Sequence, residues 1–156
     1  MIWKDGSSEN IAFYEIIQKI KTHNKKKGQV FIGTDSHIKQ GKCTFTTSIV
    51  LLGAEEQAGG IYFYNKEKYN EPTLFYNRIL KEAEKSINLA IKISEICPST
   101  NLEIHMDVSP EEKNEKTSKM AKMLMGYATG SGFKCKIKPD SFAATTVADK
   151  HTKWEK

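Results

Sequence analysis

The chain has 156 residues, 38% of them hydrophobic and 28% charged, the balance of an ordinary soluble domain with one core. A formal net charge of +5 and a pI of about 9.0 permit a polyanionic partner. No window approaches the roughly 18 apolar residues of a membrane span. Met1-Ile2-Trp3-Lys4-Asp5-Gly6 lacks the apolar core of a signal peptide, so a cytoplasmic location is expected. Cys43, Cys97 and Cys135 stand alone with no CxxC pair. That argues against a zinc site or a disulfide framework and for buried free thiols.

Residues 8–23 read as a helix. Ser8 can cap it, and Phe13, Ile16, Ile17 and Ile20 recur at helical spacing. The polar run from His23 to Gly28 ends it, and Lys25-Lys26-Lys27 within it reads as solvated surface. Three strands are predicted next, at 29–37, 43–52 and 60–65. The second is rich in Thr, Ile, Val and Phe. Lys39-Gln40-Gly41-Lys42 is short enough for a hairpin. Links this short favour an antiparallel meander, because parallel neighbours need a crossover of about a dozen residues.

A long helix is predicted over 72–96, with Pro72 in its first turn and Pro98 past its end. Phe75, Ile79, Ala83, Ile87 and Ala90 form its apolar stripe, and Glu82 sits beside that stripe. A fourth strand covers 102–108. A helix then runs from about Ser109 or Asn114 to Tyr127, opened by a capping-box pattern at Ser109-Pro110-Glu111-Glu112. A fifth strand covers 133–138 and a short helix 141–150. No repeat, linker or low-complexity segment divides the chain. The expectation is one domain over 1–156, with the N-terminal helix at about 8–23 and the core at about 28–153.

The second half reads β-α-β-α-β, which calls for parallel neighbours and right-handed crossovers. If the fourth strand pairs with the first, the result is an α/β fold with a mixed five-stranded sheet in the order 3-2-1-4-5. The second strand is antiparallel, helices flank the sheet, and the N-terminal helix is extra. The connections diverge between the first and fourth strands. Open α/β sheets place ligands at the carboxyl side of such a switch point.

Two runs end there. Val30-Phe31-Ile32-Gly33-Thr34-Asp35-Ser36-His37 is an apolar run closing on a carboxylate, and Leu102-Glu103-Ile104-His105-Met106-Asp107-Val108 repeats the pattern. Carboxylates on neighbouring strands repel, and a divalent cation removes that penalty. Hard oxygen ligands suit Mg2+ or Mn2+. Glu82 can supply a third oxygen and Asp140 a fourth, although Asp140 is equally placed to cap the final helix. Asp149, about two and a half turns into that helix, is its substitute. Four carboxylates around one point suffice for two metals about 3.5–4 Å apart, the arrangement used for phosphodiester hydrolysis. Ser36 and His37 lie at the cleft edge, and His105, Lys138 and Ser141 flank the other acids; these five are candidates for contacts to substrate or to the acids. Lys113 and Lys116 are candidates for phosphate contacts.

This arrangement resembles the ribonuclease-H-like superfamily and, within it, the small bacterial YkuK-like family. The residues that carry the resemblance are Ile32-Gly33-Thr34-Asp35-Ser36, Glu82, His105-Met106-Asp107 and Lys136-Ile137-Lys138-Pro139-Asp140-Ser141-Phe142-Ala143-Ala144. The resemblance implies carboxylates on the first strand (Asp35), on the long helix (Glu82) and on the fourth strand (Asp107). For the fourth acid, the superfamily pattern favours Asp149 on the last helix and the family motif favours Asp140. It implies a metal-dependent nuclease using Mg2+ or Mn2+ on RNA, DNA or a hybrid. The alternative is a catalytically silent nucleic-acid-binding or assembly protein of the same fold.

Overall fold

The computed structural model describes residues 1–70 and 74–153. The elements run β1 (Trp3–Asp5), β2 (Asn10–Ile11), α1 (Phe13–Lys25), β3 (Gln29–Lys39), β4 (Lys42–Leu52), β5 (Ile61–Tyr69), α2 (Phe75–Ile96), β6 (Leu102–His105), a 3-10 turn (Glu111–Lys113), α3 (Ser118–Gly130), β7 (Lys134–Lys136), a π-helical segment (Ala143–Ala148) and α4 (Asp149–Lys153). They build a mixed seven-stranded sheet in the order β2-β1-β5-β4-β3-β6-β7. The five strands expected from the sequence keep their expected order within it. β3–β4 and β4–β5 pair antiparallel, while β3–β6 and β6–β7 pair parallel.

β3 is the hub. Its alternation sends Ile32, Thr34 and Ser36 toward the long helix, where Thr34 Oγ1 lies 2.7 Å from Ser86 Oγ. The main core lies on this face. Ile16, Ile20, Ile32, Ile49, Ile87, Ile93, Ile104 and Leu124 are wholly buried in it. Each contributes about 1.5–3 kcal/mol relative to exposure. The other face carries Phe31, Gly33 and Asp35, and the Ala143–Ala148 segment lies against it.

Gly33 makes that approach possible. A Cβ there would stand 2.4 Å from the Ala144 nitrogen and 2.6 Å from the Ala143 carbonyl carbon. Both are backbone atoms and neither can swing aside. Ser48 Oγ on β4 also donates to the Ala143 carbonyl at 2.8 Å. The segment is thus seated on β3 and β4 by a missing side chain and one hydrogen bond. Single-turn π geometry is uncommon and often marks functional positions.

The structure corrects several boundaries. The first helix begins at Phe13 rather than residue 8, because residues 3–11 form a hairpin on the β5 edge. Ser8 caps nothing. It lies in the hairpin turn at φ +64°, with its hydroxyl 2.8 Å from Tyr64 OH. These two short strands extend the expected five-stranded sheet to seven. The fourth strand ends at His105, not 108. The chain past it stays tied to the neighbouring segment, through Met106 N to Lys136 O at 2.9 Å and Lys138 N to Val108 O at 3.0 Å. The third helix begins only at Ser118. Asn114 adopts φ +51° and breaks any earlier start, and Ser109 donates to Glu115 rather than forming a box with Glu112. The final helix is π-helical from 143 and α-helical from 149. Pro72 lies outside the described residues. Cys43 and Cys97 are buried free thiols, and Cys135 is half-buried. Among the described residues no helix is long and apolar enough to cross a membrane.

Candidate functional site

Asp35 is the second-last buried residue of β3 before the strand leaves the protein interior, and only 6% of it is exposed. Burial pushes its carboxyl up to about 9 from 3.8; the charges of Glu82, Asp107 and Asp149 push in the same direction. Its side chain is hydrogen-bonded to Asp149. With its pKa raised that far, Asp35 keeps its proton near neutral pH and has the O–H that such a bond needs.

Glu82 reaches the same end of β3 from the opposite face. It is 6% exposed, and Ser36 Oγ donates to its Oε2. Burial raises its carboxyl to about 8 against the pull of that hydrogen bond, and the Asp107 charge adds to the rise. Asp35 and Ser36 are neighbours in sequence, and strand alternation points them to opposite faces. The acids therefore converge on the end of β3 from both sides of the sheet.

Asp107 lies just past β6 with its side chain 24% exposed, and Lys138 Nζ stands 3.0 Å from its Oδ1. The approach is off the line of a hydrogen bond, leaving that buried oxygen without a donor. Between Glu82 and Asp107 lies a cavity of about 10 Å³, also lined by Thr34. That is room for a single water.

The two candidates for the fourth acid separate clearly. Asp149 opens α4, is half-buried and is bonded to Asp35. Asp140 is exposed, and its charge falls on His105. The acid placed with Asp35 is therefore Asp149, and Asp140 stands apart. The residue reading puts Asp140 first and the superfamily pattern favours Asp149; the π-helical turn that carries Asp149 back to β3 has no clear sequence signal.

The flanking residues divide as well. His105 is buried, and its Nδ1 accepts from the Ala143 N–H at 3.1 Å. Its Nε2 therefore carries the proton and donates to Glu103 Oε2 at 3.0 Å. Burial lowers its pKa, in keeping with a neutral ring. The ring packs edge-on to Phe142 and against Phe31, with centroids 4.6 and 5.1 Å away. His105 thus anchors the start of the segment that delivers Asp149. Ser141 is fully buried, and its carbonyl accepts from Ala144 and Thr145 to open that segment. His37 is half-buried near the end of β3. Lys113 and Lys116 are exposed, and Lys116 Nζ lies 3.8 Å over the Phe75 ring.

Sequence reading missed Arg78, the only arginine in the chain. It lies one helical turn before Glu82, its Nη1 donates to the Ser36 carbonyl at 3.4 Å, and its charge opposes the rise in the Glu82 pKa. The i, i+4 spacing of Arg78 and Glu82 was the available signal.

These are oxygen donors with an excess of negative charge, the chemistry that suits a hard divalent cation. Yet among the described residues no three His, Cys, Asp or Glu side chains form a ready metal cage. Mg2+ needs none: it commonly takes one or two protein carboxylates and completes its shell with water and substrate phosphates. The donor set therefore fits, with Asp35 and Asp149 as the closest pair. Comparison with curated proteins and with solved structures returns no significant match. The ribonuclease H-like family pattern matches residues 12–153, spanning β3, α2, β6 and α4 and with them all four acids; the chain belongs to the ribonuclease H-like family.

Proposed function

We propose that the protein is a divalent-metal-dependent nuclease that hydrolyses phosphodiester bonds of a nucleic acid. The observation that carries this reading is the meeting of Asp35, Glu82, Asp107 and Asp149, from four separate elements, at the carboxyl end of β3 with too little positive charge to balance them. Asp35, Asp149, Glu82 and Asp107 would hold Mg2+ or Mn2+. When bound, the metal supplies charge neutralisation at the scissile phosphate and activation of water.

The chain's own residues supply the rest. Ser36 fixes Glu82 Oε2, so the other oxygen is free to orient water for attack. With its pKa raised toward neutrality, Glu82 suits a group that accepts a proton at working pH. Lys138 steadies Asp107 from the solvent side, and Arg78 tempers the charge at Glu82. Asp149, on the face opposite Glu82, would serve the leaving oxygen. A cation held by Asp35 and Asp149 would replace the proton that burial keeps on Asp35.

The test is cleavage of labelled RNA, DNA and hybrid substrates with Mg2+ or Mn2+. Wild type should cleave at least one, Asp35→Asn and Asp149→Asn should lose at least a hundredfold in rate, and Asp140→Asn should retain it. No cleavage across the panel overturns the proposal. The lack of a three-ligand cage favours a second reading, a nucleic-acid-binding protein without turnover. It expects binding that survives Asp35→Asn and no product under any metal.

A further inference from the structure

The face of the sheet that bears Asp35 continues past β4, and what it carries there is basic. Antiparallel register places Asp35 opposite Thr46, and Thr46 opposite Lys66. Directly opposed residues share a face, so Lys66 lies on the Asp35 side, two strands or about 10 Å away. By the same register His37, Thr44 and Lys68 form the next row, and Gly33, Ser48, Tyr64 and Lys4 the previous one. Lys150 joins from α4, immediately after Asp149.

Between these lysines lies a hollow of about 540 Å³, lined by Lys4, Ser8, Tyr64, Lys66, Lys150 and His151 among others. Its floor is rigid. The His151 ring stacks on Tyr64 at 3.7 Å and 10°, and its Nε2 lies 2.9 Å from Tyr62 OH. The stacked faces are spent on each other, so the hollow offers charge rather than a platform for bases. At the row between hollow and acids, Thr46 is wholly buried, and its hydroxyl has no hydrogen-bond partner. A buried hydroxyl without a partner costs roughly 1–3 kcal/mol and calls for a ligand or water.

We propose that Lys4, Lys66, Lys68 and Lys150 form a phosphate track that holds a nucleic-acid strand by its backbone as it leaves the carboxylate centre. Successive rows on one strand face are about 7 Å apart, comparable with the spacing of successive phosphates along an extended strand. A positive groove that follows the backbone without reading bases is a common mode of single-strand binding. The track names the substrate path for the proposed nuclease and rests on that reading for its purpose, but its binding is measurable without metal.

The experiment is titration of the full chain with dT20 and U20 in EDTA over a series of KCl concentrations. Lys4→Gln/Lys150→Gln is compared with Lys25→Gln/Lys26→Gln, which removes equal charge from the far end of β3. The track variant should flatten the plot of log affinity against log salt by about 1.4 and so weaken binding about 25-fold at 0.1 M relative to 1 M salt, since each contact on a single strand adds about 0.7 to that slope. The control variant should match wild type. Equal behaviour of the two variants overturns the track. If the track variant shows the expected loss but no metal yields cleavage by wild type, the nuclease reading fails and the track stands. If cleavage occurs and its KM is unmoved by the track variant, the track fails and the nuclease reading stands.

Discussion

Asp35→Asn should make the metal-free protein more stable, and increasingly so as pH rises. The folded pKa of Asp35 is raised from 3.8 to about 9. Across that window the fold binds a proton that the unfolded chain has released, so stability is full below the lower value and falls as pH climbs to the upper. The slope is about 1.4 kcal/mol per pH unit for one proton. From pH 5 to pH 8 that amounts to about 4 kcal/mol, and relaxation around the charge reduces it to about 2–4 kcal/mol. Asn keeps the shape and can still donate to Asp149, so the variant escapes the loss. Urea denaturation in EDTA at several pH values measures it. Between pH 5 and pH 8 the variant should gain about 2–4 kcal/mol on the wild type. Saturating Mn2+ should close most of that gap, since a ligand at a hundred times its Kd adds about 2.7 kcal/mol to the protein that binds it. Parallel pH profiles for the two proteins would refute the reasoning.

Gly33→Ala should lower stability by about 3 kcal/mol or more through overpacking against the 143–148 backbone, read by thermal melting. It should also expose Asp149, read as loss of Mn2+ binding by calorimetry. Asp149→Asn should abolish Mn2+-induced stabilisation while Asp140→Asn preserves it, measured as the shift in Tm on adding metal. Ser36→Ala removes the donor to Glu82. It should destabilise by about 1–3 kcal/mol, most strongly above pH 8 where Glu82 must ionise, measured by denaturation at paired pH values.

Much of this was legible from residue order. The meander, the two parallel crossovers and the strand order around β3 follow from link lengths and from the periodicities of 29–52 and 75–96. Asp35 was legible because a carboxylate at the end of an apolar strand has few structural uses. Glu82 was legible because it borders the apolar stripe of a helix that must pack on β3. What failed depended on backbone geometry with weak sequence signals. The hairpin at 3–11 consists of two short strands that pair only because the β5 edge is available. The π-helical turn shifts the phase of everything after residue 143, so a regular helix count does not show that Asp149 faces β3. Gly33 reads as part of the strand motif, and what packs against it from over a hundred residues away has no local signal.

The acids reach the end of β3 from two separate layers: Glu82 from α2 on one face, Asp149 from α4 on the other. The sheet stands between those layers. Any ligand that engages acids from both sides therefore acts as a rivet through the carboxyl edge of the sheet, fastening two layers that the polypeptide itself leaves independent. The signature of occupancy would be mechanical: slowed amide exchange in α2 and in 143–153 together, on opposite sides of a sheet that does not change.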